Sequence, residues 1–145
     1  MKWLDLPPVW TVGFAAVMWL TADVAPWPDE RAPEVAAGLF TGAVALAIWA
    51  AVQFLKRRTT IIPREAPSAL ITSGPFRFTR HPVYLADALA LLAWAVFLGS
   101  GFALLWIAAF VWLIDRRFID HEETRLETTF GEDFAEYRKT VRRWI

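Results

Sequence analysis

Long apolar runs alternate along the chain with short, densely charged connections. Val9 to Trp27 is apolar apart from Asp23, and Val35 to Leu55 holds Gln53 as its one strongly polar residue. Val83 to Leu98 carries Asp87 near its start, and Phe102 to Ile114 is apolar throughout. A helix needs roughly 20 residues to cross about 30 Å of hydrocarbon, so the first two runs predict membrane-spanning helices directly. The last two are shorter, but only Gly99-Ser100-Gly101 separates them. That predicts a helical hairpin whose arms reach back to Pro82 and on to about Ile119. The pattern as a whole predicts an all-α, polytopic membrane protein with four spans, at about 9–27, 35–55, 82–98 and 102–119.

Charge orients these spans. The connection after the first run holds Asp29, Glu30, Arg31 and Glu34, whereas the one after the second holds Lys56, Arg57, Arg58, Arg64, Arg77 and Arg80. Cytoplasmic loops collect Lys and Arg, so the loop 56–81 is expected in the cytoplasm, the uncharged tip 99–101 outside, and the tail 120–145 inside again. Both termini are then cytoplasmic. Asp23 falls near the end of its run, where a carboxylate reaches the headgroups, and Trp10 and Trp27 stand at the two interfaces as aromatic anchors. The tail reads as helical from Asp115 to Phe130, stops at Gly131 and resumes from Glu132 to Val141.

Composition agrees with the class. Hydrophobic residues make up 57% of the 145, with a mean hydropathy of +0.36, well above the soluble average. The 15 basic and 15 acidic residues cancel, so placement of each sign is informative and a nucleic-acid partner gains no support. With no cysteine there are no disulfides, no thiolate metal site and no cysteine nucleophile, and no metal is expected. Met1–Asp5 and the run after it lack the pattern of a cleavable signal peptide, and a single domain over 1–145 is expected.

Two segments are dense enough to carry chemistry. Ser73 to Tyr84 packs turn formers, Arg77, Arg80, His81 and three aromatics immediately before the third span. Pro82 suits the first turn of that helix, which puts His81 at the helix entrance and Tyr84 one turn in. Free N–H groups and a partial positive charge there suit an anionic ligand group; the plainer reading is a basic membrane anchor with an interfacial tyrosine. In the tail, Arg116 and Glu123 lie two turns apart on one face with Asp120 between them, and Glu122 points about 100° away from Glu123. Only one of the two glutamates is then expected to face a given pocket. Its plainer reading is a solvated helix with Arg116 paired to Asp120 at i+4. The last hairpin brings both segments to one membrane face. Asp87, inside the third span, is a functional candidate or an interfacial carboxylate. His121 reads as a surface residue.

The order Gly-Pro-Phe-Arg-x-x-Arg-His-Pro-x-Tyr-Leu, a hydrophobic hairpin, then Glu-Glu-x-x-Leu-x-x-x-Phe-Gly-x-x-Phe-x-x-Tyr-x-x-x-Val resembles the isoprenylcysteine carboxyl methyltransferase and phospholipid methyltransferase superfamily. The likeness covers Ser73 to Val141. It implies S-adenosylmethionine-dependent methyl transfer at the membrane surface. On that resemblance Gly74, Phe76, Arg80, His81, Pro82, Tyr84, Leu85, Glu122 and Glu123 are expected at the cofactor, while Arg116, or its neighbour Arg117, and Glu123 are expected in catalysis. The cofactor's ammonium and carboxylate ask for one acidic and one basic or N–H-rich partner, and its adenine for an apolar slot, which Phe76, Phe78, Tyr84 and Leu85 could line. The expected acceptor is lipophilic, a prenylcysteine-like carboxylate or a lipid amine, arriving sideways from the bilayer past Thr59 to Pro63. Two other classes stay open: an NADPH-dependent sterol-type reductase, which shares the Arg-His-Pro-x-Tyr element, and a non-enzymatic lipid-binding membrane protein.

Overall fold

The computed structural model describes residues 6–26, 32–57 and 68–145. Within them the chain forms α1 (Pro7–Leu20), α2 (Pro33–Arg57), α3 (Pro82–Leu98), α4 (Ala103–Ile114), α5 (Asp120–Phe130) and α6 (Glu132–Thr140). The described residues contain no strand, so the all-α class holds; one isolated bridge pairs Pro26 with Ser100. The first three helices each open on a proline, whose missing N–H costs nothing in a first turn. Two glycines end helices. Gly99 adopts the left-handed conformation (φ 64°, ψ 39°) after α3, its N–H and that of Ser100 turning back to the carbonyls of Val96 and Ala95, and Gly131 (φ 50°) separates α5 from α6.

α3 is the central element, packed against α1, α2 and α4. α2 buries Ala36, Ala43 and Ala50, alanines spaced seven apart, and small side chains on one seam let neighbouring backbones come close. On the other side Met18, Tyr84, Leu91, Phe110, Ile114, Phe118 and Ile119 form the main apolar cluster. Indole N–H groups pin α1 into it: Trp94 donates to the Ala15 carbonyl and Trp106 to the Thr21 hydroxyl, each at 3.0 Å. Past Ile114 the backbone stays helical but widens into a π-turn, Asp115–Ile119, before α5.

The elements differ from the hydropathy pattern in length. α1 ends at Leu20, where Thr21 folds its hydroxyl back onto the Val17 carbonyl and a short 3-10 turn, Ala22–Val24, leads to Pro26 beside the hairpin tip. Asp23 is exposed in that turn. Among the described residues α2 alone is long and apolar enough to cross a bilayer unaided. α1, α3 and α4, at 14, 17 and 12 residues, fall short of the roughly 20 that a straight crossing requires. Trp27, the charges Asp29, Glu30, Arg31, Arg58 and Arg64, and the stretch Thr59–Pro63 lie outside the described residues.

Candidate active site

The basic segment before α3 is held from two sides. Gly74 opens a 3-10 turn, Gly74–Arg77, at φ +63°, a conformation that favours glycine, and a Cβ there would sit 2.7 Å from the Gln53 amide. Ser73 donates to the same buried Gln53 at 3.1 Å, which ties the turn to α2. Phe76 packs with Ala50, Ile71 and Phe54, and its carbonyl accepts the Tyr137 hydroxyl of α6 at 2.6 Å. Beyond the turn, the residues after α6 run alongside. The Arg80 N–H donates to the Arg142 carbonyl, and the Thr79 hydroxyl donates to the Arg143 carbonyl, each at 3.0 Å. That hydroxyl also accepts the His81 N–H at 3.2 Å, which presents His81 at the mouth of α3, where its carbonyl takes the Leu85 N–H.

Glu123 of α5 faces this segment and is saturated. Its Oε1 accepts Arg80 Nε at 2.9 Å and Arg80 Nη2 at 2.8 Å, and lies 3.1 Å from His81 Nε2; its Oε2 accepts Arg143 Nη2 at 2.6 Å. Burial by itself would raise the Glu123 carboxyl, but the hydrogen bonds from His81, Arg143 and Arg80, with the Arg80 charge, hold it down at about 2. The remaining donor of Arg80 caps the carbonyls of Val141 (2.8 Å) and Arg138 (3.3 Å). Arg143 Nη1 reaches Asp115 and Asp120, both at 3.0 Å. Glu122 turns the other way round the same imidazole: its Oε2 accepts the Tyr84 hydroxyl at 3.1 Å and stands 3.8 Å from His81 Nδ1, with the side chain 44% exposed. The two glutamates thus flank one histidine, where helix geometry led us to expect only one at a given pocket.

The structure brings Arg80, His81, Pro82, Tyr84, Glu122 and Glu123 together and sorts the other expected residues. Leu85 follows at the start of α3, half-buried. Phe76 packs in a cluster separate from that of Tyr84, and Gly74 lies against Gln53. Phe78 is 69% exposed and tilts against Trp49, so the four residues expected to line an apolar slot do not converge. Arg116 is exposed on the π-turn, and its expected partner Asp120 pairs with Arg143 instead. Arg117 lies over the Trp10 ring at 5.7 Å, which draws Trp10 into the packing beside the π-turn. Asp87 is half-buried in α3, and His121 is exposed. Arg143, Asp115 and Asp120 enter the ion-pair cluster from outside both motifs. Arg125, on the same face of α5 as Glu122, acts electrostatically at the Tyr84 hydroxyl. A basic residue just past a predicted helix end is no signal of where the chain then turns.

Sequence similarity to known proteins covers these segments. The family model described as phospholipid methyltransferase matches residues 33–133, which include the basic segment, the hairpin and both glutamates. A Haemophilus influenzae protein described only as uncharacterized is 41% identical over 63 residues, 43% of this chain and 100% of that protein. The protein-S-isoprenylcysteine O-methyltransferase of Schizosaccharomyces pombe is 30% identical over 78 residues, 54% of this chain but 33% of that enzyme. No solved structure matches. The chain belongs to the phospholipid methyltransferase family of membrane methyltransferases, in the superfamily that also holds the isoprenylcysteine methyltransferases.

Proposed function

We propose that this chain transfers a methyl group from S-adenosylmethionine to a lipophilic acceptor, a prenylcysteine-like carboxylate or a lipid amine, at the cytoplasmic face of a membrane. The observation that carries this reading is the meeting of Tyr84 and His81, at the mouth of α3, with Glu122 and Glu123 of α5. The residues fit the amino-acid end of the donor. Glu122 is half-exposed and retains free acceptor capacity for an ammonium, while both oxygens of Glu123 are already engaged. Arg125, one turn beyond Glu122, and the free N–H groups of the first turn of α3 offer the donor carboxylate a positive counterpart; Arg80 is fully committed to Glu123 and to backbone carbonyls. Tyr84 holds Glu122 in place, and Glu123 with Arg80 fixes His81.

When bound, the donor supplies a sulfonium methyl open to in-line displacement, and the chain's part is to align the acceptor and exclude water. Arg116, exposed on the π-turn, would orient an acceptor carboxylate. An amine acceptor has to lose a proton, for which His81 or a glutamate of the site is the candidate base. Four apolar segments mount the site, with the loop 56–81 and the tail on the cytoplasmic side. In support, α2 has the length of a span, and Val12 and Trp19 of α1, Phe40 and Ile48 of α2, and Leu105 and Trp112 of α4 stand exposed, as lipid-facing side chains do.

Calorimetric titration of the detergent-purified protein with S-adenosylmethionine tests the reading. Saturable heat is expected, weakened on the order of tenfold by Glu122→Ala, as loss of a charge-assisted contact predicts. Arg116→Ala is expected to leave binding intact and lower methyl transfer. A flat thermogram for the wild-type chain overturns the proposal.

A further inference from the structure

The residues after α6 return to the basic segment and complete the cluster there. Val141 leaves α6 in an extended conformation, and the carbonyls of Val141, Arg142 and Arg143 take Arg80 Nη1, the Arg80 N–H and the Thr79 hydroxyl, so the two segments run side by side at the entrance of α3. The Arg143 side chain then crosses to the helix on the far side. It bonds Asp115 in the π-turn and Asp120 and Glu123 in α5, while the Trp144 indole donates to Asp115 at 3.3 Å. One guanidinium therefore joins the segment that carries His81 to the helix that carries Glu122. A planar guanidinium spreads its five N–H donors over three nitrogens in a fixed fork and so reaches carboxylates on different sides, whereas an ammonium presents three donors from a single nitrogen.

From this geometry we infer that Arg143 is a positioning residue for the donor site, acting through Glu123 on His81 and, through the placement of α5, on Glu122. The inference rests on the donor-binding reading above and adds to it a residue outside both motifs. Without Arg143, Glu123 keeps Oε1 paired to Arg80 and His81 but has a bare Oε2 on a side chain only 8% exposed. An unpaired buried oxygen is costly, and the carboxyl relieves the cost by taking a proton or by turning, either of which changes what His81 faces. Asp115 and Asp120 also lose their shared counter-charge, so the π-turn and the first turn of α5 repel one another. The groups facing Glu123 are Arg80 and His81 before α3, Arg143 after α6, Tyr137 on α6, and its neighbour Glu122, with Asp115 and Asp120 beyond the guanidinium.

The test compares wild type, Arg143→Ala and Arg143→Lys in detergent, titrated with S-adenosylhomocysteine between about pH 8 and about pH 5, the range over which an unpaired buried carboxyl begins to take up protons. Arg143→Ala is expected to weaken binding on the order of tenfold at the upper end and further as pH falls, while the wild type changes little. Arg143→Lys is expected to restore the flat pH profile but not the full affinity. Unaltered affinity in Arg143→Ala overturns the inference, and so does a uniform loss with the wild-type pH profile, which is what a merely structural role would give. A donor-independent readout separates this from failure of the donor reading. The chain has two histidines, so in a His121→Gln background the imidazole nitrogen resonances come from His81 alone. They are expected to move in Arg143→Ala, and unmoved signals overturn the inference whether or not any donor binds.

Discussion

At Glu123 burial and pairing pull in opposite directions, and pairing prevails: the carboxyl sits at about 2 against an ordinary value of 4.5. A carboxylate depressed on folding contributes stability that is complete above its ordinary value and is lost as the pH falls towards the folded value. Thermal unfolding followed by circular dichroism should therefore show the Glu123 contribution intact from neutrality down to 4.5 and fading below it, towards about 2. Glu123→Gln should remove that dependence. It also leaves Arg80, 9% exposed, and Arg143, 30% exposed, facing an amide, at a cost of about 3 kcal/mol. An unfolding profile for Glu123→Gln that matches the wild type at every pH would show that the pairing contributes nothing. The pair Glu122-Glu123 is visible in the sequence, and the helical angle between them is too; which of them is buried is not. That depends on Arg143, twenty residues on, whose approach no local pattern encodes.

The helices themselves are the part that periodicity and punctuation make legible. Prolines mark three starts and Gly99 and Gly131 mark two stops, because those residues act through their own backbone geometry wherever they stand. Helix length is less legible: the apolar run to Trp27 continues past Leu20, yet the chain turns at Thr21, whose hydroxyl bonds the Val17 carbonyl locally and accepts the Trp106 indole, a contact that needs α4 alongside. The turn before α3 shows the same dependence. Gly74→Ala would place a Cβ in the left-handed region and against Gln53, with a combined cost of about 2–3 kcal/mol from backbone strain and overpacking. Adding Gln53→Ala should recover the packing share and leave the strain, as denaturant unfolding of the two single variants and the double would reveal. Full additivity of the two single changes would mean that Gly74 and Gln53 do not meet.

Across the whole molecule, the proposed topology can be read because the chain contains no cysteine. Single replacements Gly101→Cys at the hairpin tip and Lys139→Cys on α6 should react with an impermeant maleimide from opposite sides of oriented vesicles, with Lys139→Cys on the cytoplasmic side. Labelling of both from one side would remove the hairpin crossing. The sequence by itself determined the helical class, the apolar segments, the hairpin at Gly99-Ser100-Gly101 and the two motifs, since each rests on local properties: hydropathy, chain length, proline and glycine geometry, and residue order. Tertiary structure alone decided that Glu122 and Glu123 flank one histidine, that Phe78 faces outward away from Tyr84, and that Arg143 closes the cluster with Asp115 and Asp120. Each of these depends on contacts between residues distant along the chain, and such contacts are set by how α3, α5 and the residues after α6 pack rather than by any local pattern.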